Sequence, residues 1–208
     1  MLIKTNIANR KNYGSSRSLD SIKYIVIHYT ANDGDSDENN GVYFKNNVTG
    51  TSAHYFVDSD SVTQSVPDDY IAYHCGAASY KHLMCRNANS IGIEICDDLK
   101  NGMIYPSAQT IANTCSLVEM LMKKYSIPKE NVIRHYDVTG KLCPAYWCGS
   151  IENDTRWRME FLDRINMSKD LLYRVQVGAY SKKENAASMV AKLKAAGFDA
   201  IIKSETKS

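Results

Sequence analysis

His28, His135 and Cys143 are the residues of this chain whose types could act together as a reactive centre. Neutral imidazoles and a thiolate are ligands for a borderline-soft cation, and three protein ligands with the fourth position left to water are what a catalytic zinc site requires. The residues are separated by 107 and then 8 positions, which is no local motif. Spacing by itself therefore leaves a plain alternative open: two structural histidines and a buried thiol. Placement narrows the question, because each of the three falls at the end of a strand or in the loop after one.

The elements that must position them read as follows. Residues 22–29 form a short β-branched and aromatic run, a mostly buried strand with His28 where it leaves the core. Residues 30–40 are rich in Asp, Asn, Ser and Gly and read as loop, with only a weak helix over 42–47. Residues 53–57 and 62–66 flank Asp58, Ser59, Asp60 and Ser61 as a hairpin, and 71–74 and 91–96 give two more strands. In the last of these Ile91, Ile93 and Ile95 share one face and Glu94 lies on the other. Residues 107–125 make the clearest helix, capped by Ser107, with Ile111, Cys115, Val118, Leu121, Met122 and Tyr125 on one stripe. A strand at 132–133 delivers His135, the loop after it holds Lys141, Cys143 and Pro144, and a helix over 154–165 follows with Trp157, Phe161, Leu162 and Ile165 on one side. The fold class is mixed α/β: a central mixed sheet flanked by helices, with a small βαβ element at the carboxy terminus.

Composition excludes other classes. With 208 residues, 44% apolar and 23% charged, the chain can bury a core and is neither disordered nor fibrous. Twenty-five basic against 23 acidic residues leave +2, too balanced for a partner held by phosphate neutralisation, so no nucleic acid is expected. No apolar run approaches the roughly 20 residues of a membrane span, and the amino terminus lacks the apolar core of a secretory signal. The expectation is a protein made in the cytoplasm whose six cysteines are mostly free thiols. A second metal site from His74, Cys75, His82 and Cys85 fits no finger spacing, and a Cys75–Cys85 disulfide stays open. Cys148, separated from Cys143 by four residues, reads as a bystander, and Cys96 and Cys115 as core thiols.

Five segments occur in a telling order: 24–30 (Tyr-Ile-Val-Ile-His-Tyr-Thr), 52–58 (Ser-Ala-His-Tyr-Phe-Val-Asp), 72–76 (Ala-Tyr-His-Cys-Gly), 89–94 (Asn-Ser-Ile-Gly-Ile-Glu), and 134–137 (Arg-His-Tyr-Asp) followed by 141–144 (Lys-Leu-Cys-Pro). Over residues 20–165 the chain resembles the zinc-dependent N-acetylmuramoyl-L-alanine amidases, a family shared by phage endolysins, bacterial cell-wall amidases and animal peptidoglycan recognition proteins. The resemblance implies that His28, His135 and Cys143 hold Zn²⁺, and that Glu94 is the general base that moves a proton from water to the leaving amine. It implies further that Lys141 steadies the oxyanion, and that His54 and His74 line the substrate cleft. Some members carry a tyrosine where this chain has Ala53, which shifts more of the work onto Glu94. Asp137 could orient a ligand or cap a loop. The partner implied is peptidoglycan, cut between N-acetylmuramic acid and L-alanine after the enzyme reaches the wall, as in an endolysin. The rival is a non-catalytic peptidoglycan receptor on the same fold; such members most tellingly lack the cysteine.

Beyond a polar linker at 166–171 the character changes. Residues 172–177 alternate like a strand, Ser181 and Glu184 match a capping box opening a helix to Ala196, Gly197 ends it, and 198–203 read as a second strand. The unit at 172–208 resembles the first half of a sporulation-related (SPOR) repeat, a wall-binding module. The second half of such a repeat is not in the sequence: either the chain is cut short there, or two chains complete one another as a homodimer, which an exposed sheet edge would favour.

Overall fold

The computed structural model describes residues 2–165 and 176–204, and the chain divides into two units, Met1–Ser168 and Lys169–Ser208. The first unit is built on a six-stranded sheet in the order β1-β5-β4-β7-β3-β8. Its strands are β1 (Ile3–Thr5), β3 (Tyr24–Asp33), β4 (Tyr55–Val57), β5 (Val62–Gln64), β7 (Ser90–Asp97) and β8 (Val132–Arg134). Only β4 and β5 pair antiparallel; every other neighbour is parallel, so the sheet is mixed as expected. A separate two-stranded sheet pairs β2 (Tyr13–Ser16) with β6 (Tyr70–Ala72).

Side-chain alternation decides which face does what. Ile25, Ile27, Ile91, Ile93 and Ile95 are all buried on one face of β3 and β7, against Ile111, Leu117, Val118, Leu121 and Met122 of α2 (Ala108–Tyr125). Burial of each such side chain contributes about 1.5–3 kcal/mol, which makes this layer the main source of stability. The other face of the same strands carries Val26, His28, Gly92 and Glu94, and His28 lies directly across the parallel ladder from Glu94. The core and the candidate site are thus two sides of one sheet.

Helix α2 starts where Ser107 Oγ accepts the Thr110 N–H, as the sequence predicts. Two other boundaries differ from expectation. Strand β3 runs on to Asp33, although its burial ends at His28, and α1 occupies Asp37–Asn46 rather than a weak turn near 42–47. Its Asp and Asn residues resemble a loop in composition. They are in fact first-turn residues: Ser36 Oγ accepts the Asn39 N–H, and buried Asp37 takes hydrogen bonds from Ser61 and Thr63. The helix expected over 154–165 begins earlier, as α4 (Ile151–Arg156), and passes through a π turn at Trp157–Phe161 and a 3₁₀ turn at Leu162–Arg164. Trp157 and Phe161 stack at 4.9 Å between ring centroids.

Buried Arg134 ties this region to the site. Its guanidinium donates to both carboxylate oxygens of Asp137 at 2.9 and 2.8 Å, to Asp154 at 2.6 Å and to the Trp147 carbonyl. Arg134→Ala removes a buried guanidinium whose acidic partners stay partly exposed, and is expected to cost about 1.5–3 kcal/mol in denaturant unfolding. A loss below 1 kcal/mol would show that the network adds nothing net.

In the second unit, α5 spans Lys183–Ala195, and Gly197 follows with φ +86°, as the expected terminator. Two expectations are corrected there. The helix starts at Lys183 with Lys182 as its cap residue and no side-chain cap bond, so the Ser181–Glu184 capping box does not form. Residues 198–203 form no strand: Phe198 and Ile201 are exposed and no ladder partner lies alongside them among the described residues. Of the strand expected at 172–177, residues 172–175 lie outside the described residues and 176–177 are not in a strand. The sheet edge on which homodimer pairing was to rest is therefore not present among the described residues. Nor is any described helix long and apolar enough to cross a membrane.

Candidate metal centre and active site

Three elements converge on the face opposite α2. His28 is the last buried residue of β3, and His135 opens α3 (His135–Thr139) immediately after β8. Cys143 lies in the loop beyond Gly140, where the Tyr136 N–H donates to the Cys143 carbonyl at 3.0 Å and the peptide to Pro144 is cis. One ligand atom from each of the three lies within 4.8 Å of the others, and the residues are 2%, 6% and 3% exposed. Cys143 Sγ is 3.8 Å from His28 Nδ1, close to the roughly 3.5 Å between ligand atoms that tetrahedral zinc bonds of 2.0–2.3 Å produce.

The donor chemistry fits a metal. His135 Nδ1 is buried with no hydrogen-bond partner among the described residues, which is costly for a ring nitrogen unless a ligand takes it. Burial, helped by neighbouring histidines and Lys141, holds His28 well below its ordinary pKa, and burial with Lys141 lowers His135 to about 4. Both imidazoles are therefore neutral at pH 7, as ligands must be. Burial pushes the Cys143 thiol up, while the Tyr29 backbone N–H hydrogen-bonds it and favours the thiolate. A cation is the group that would complete that ionisation.

Beside these ligands lies Glu94. Glu94 is half-buried as a whole residue, but its Oε2 is sealed from solvent and has no hydrogen-bond partner among the described residues, and burial raises the carboxyl to about 8 against the pull of Lys141. A carboxyl poised near neutrality next to a candidate metal position can take and give back a proton. A cavity of about 550 Å³ adjoins the site on the His135 side, lined by Tyr73, His74, Asn87, His135, Thr139 and Lys141 among others. Lys141 is exposed and lines this cavity, so its ammonium can meet negative charge that develops there.

The remaining expected residues separate. His54 does not line the cleft: it is 0% exposed, and its ring is used inside the protein. The Gly92 N–H donates to His54 Nδ1 at 3.0 Å, so Nε2 carries the proton and donates to the Tyr70 carbonyl at 3.1 Å. The Arg17 guanidinium nitrogen 2.9 Å from that same Nε2 finds no lone pair there, and the contact is not a hydrogen bond. Asp137 holds Arg134 and bonds neither histidine ligand. His74 does line the cavity, yet both of its nitrogens are occupied, Nδ1 by His28 Nε2 at 3.0 Å and Nε2 by Ser90 Oγ at 3.1 Å. Cys75 and Cys85 are buried free thiols in the cluster behind His74. Ser90 and the Tyr29 N–H carry no spacing signal, and sequence reading passed over both.

Comparison with known proteins identifies the family. The family model described as N-acetylmuramoyl-L-alanine amidase matches residues 18–146, and a SPOR domain model matches residues 171–208. The chain belongs to the N-acetylmuramoyl-L-alanine amidase family. It is 38% identical over 149 residues to the N-acetylmuramoyl-L-alanine amidase CwlL of Bacillus licheniformis, covering 67% of this chain and 41% of that one. It is 33% identical over 164 residues to BlyA of Bacillus subtilis, covering 71% and 42%. The chain thus spans about two-fifths of the length of these relatives. Among solved structures, the catalytic domain of XlyA superposes with a TM-score of 0.64 at 28% identity, covering 80% of this chain and all of that domain. PlyL does so with a TM-score of 0.64 at 28% identity, covering 79% of this chain and 97% of that one.

Proposed function

We propose that the chain hydrolyses the amide bond between N-acetylmuramic acid and the L-alanine of the peptidoglycan stem peptide, with Zn²⁺ held by His28, His135 and Cys143. The observation that carries this is the convergence of three buried ligand atoms beside Glu94, whose buried Oε2 has no hydrogen-bond partner among the described residues, with His135 and Lys141 lining the adjoining cavity. Zinc bound there would polarise the scissile carbonyl and acidify a water. Glu94 takes a proton from the attacking water and delivers it to the amine of L-alanine as the C–N bond breaks. Lys141 faces the negative charge that gathers on the carbonyl oxygen. A non-catalytic receptor needs neither Cys143 nor an unpartnered Glu94. Residues 1–165 are the catalytic part, 166–171 the linker and 172–208 the wall-binding part, of an enzyme that acts on the cell wall as an endolysin does.

Incubation with purified cell walls tests this. The expected products are new L-alanine amino termini without new reducing sugar ends, in a reaction stopped by a chelator and restored by zinc. New reducing ends, or amine release that a chelator leaves untouched, would overturn the assignment.

A further inference from the structure

His28 is not held by packing alone. From its Nε2 a line of hydrogen bonds runs inward to His74 Nδ1 at 3.0 Å, from His74 Nε2 to Ser90 Oγ at 3.1 Å, and from Ser90 Oγ to the Arg86 carbonyl at 2.7 Å. A carbonyl can only accept, so the single hydroxyl proton of Ser90 is spent on Arg86. Ser90 Oγ must then accept from His74, which places the His74 proton on Nε2 and leaves a lone pair on Nδ1. That lone pair can receive a proton only from His28 Nε2. The His28 proton is thus drawn to Nε2, and the lone pair of Nδ1 is left facing Cys143 Sγ, 3.8 Å away.

We propose that His74 and Ser90 are positioning residues that fix the tautomer and ring angle of His28, keeping Nδ1 free as a metal ligand. This rests on the zinc reading above. It also accounts for two facts that a substrate contact does not. Both His74 nitrogens point into the protein, and its ring crosses that of His28 at 88°. Gly92 is the floor on which the ring rests: a Cβ there would come within 2.5 Å of His74 Cγ, so any side chain at 92 would dislodge the ring. His74 is further anchored by its own N–H, which donates to Asn87 Oδ1 at 3.2 Å. Metal-bound histidines commonly give their second N–H to a carboxylate, carbonyl or water; here a second imidazole takes it and passes the constraint to a main-chain carbonyl.

The test reads metal affinity and the His28 ring directly, without substrate. The full chain and its variants are stripped of metal, titrated with zinc against a chromophoric chelator, and examined by long-range ¹H–¹⁵N NMR of the histidine rings. His74→Phe keeps the ring's bulk but removes the acceptor, and is expected to weaken zinc binding about 10–100-fold, whereas His74→Asn, whose Oδ1 falls near the Nδ1 position, should stay within about threefold of wild type. The His28 Nε2 proton should be slow to exchange in wild type and His74→Asn and fast in His74→Phe. Gly92→Ala, which removes no polar group, should weaken zinc as His74→Phe does. Wild-type affinity and a protected Nε2 proton in His74→Phe would overturn the proposal, as would equal losses in His74→Asn and His74→Phe, which would mark a packing role. Wild-type protein that binds no zinc would instead overturn the metal reading on which this rests.

Discussion

Cys143→Ser is expected to lose zinc almost entirely and, with it, amide hydrolysis. The substitution is nearly isosteric in a site only 3% exposed, so the fold has little reason to change. What changes is the donor. Zinc is bound by a thiolate, and a serine hydroxyl stays protonated at neutral pH, where it offers a weak neutral oxygen instead of an anionic sulfur. Loss of an outer hydrogen-bond partner to a metal ligand costs about 10–100-fold in affinity, and loss of one of three direct ligands should exceed this, on the order of 10³-fold. Amine release from cell walls should fall by at least as much when zinc is limiting. Cys148→Ser provides the contrast. Cys148 is just as buried, but its Sγ donates to the Pro144 carbonyl at 3.0 Å, a bond that a serine hydroxyl can repeat. Chelator competition on the two variants separates a ligand from a neighbour: zinc affinity in Cys143→Ser within tenfold of wild type would remove Cys143 from the metal site.

How much of this was legible in the sequence depends on whether a residue's role follows from its neighbours in the chain. The alternation of Ile91, Ile93 and Ile95 sets Glu94 on the opposite face from the α2 core, and the fold keeps it there. His28, at the end of an apolar run, is the last buried residue of β3 for the same reason. Strands β1 and β2 left no comparable signal. With three and four residues, they are held by main-chain pairing to β5 and β6 rather than by an apolar pattern. Helix α1 was hidden because Asp and Asn serve loops and first turns alike. The line from His28 through His74 to Ser90 joins residues 46 and 16 positions apart, and only the packing of β7 beneath the His74 ring brings them together. The strand expected at 198–203 failed for the converse reason: its apolar residues suit a strand, but a strand needs a partner, and none stands beside it among the described residues.

Glu94→Gln should separate catalysis from stability, with opposite signs. Zinc affinity is expected to hold, because Glu94 is not among the three converging ligands, while turnover falls by about 10²–10⁴ with the loss of the proton carrier. Stability should move the other way in metal-free protein. Burial raises the folded carboxyl from an ordinary 4.5 to about 8, so the folded state prefers it protonated. The unfolded chain gives up that proton near pH 4.5, and the folded chain does so only near pH 8. The stability this group contributes is therefore fully present below about pH 4.5 and drains away as pH rises to about 8, on the order of 3 kcal/mol between pH 5 and pH 8. Glutamine carries no charge to desolvate and should remove this slope. The measurement is denaturant unfolding of metal-free wild type and Glu94→Gln at pH 5 and pH 8, which compares each protein with itself and so cancels any fixed cost of the amide. Zinc should flatten the wild-type slope as well, since a cation beside Glu94 favours the carboxylate. A wild-type slope equal to that of Glu94→Gln would show that the carboxyl is ionised at neutral pH without metal. Glu94 would then be a weaker base for the proton it must collect from water than a carboxyl raised to about 8.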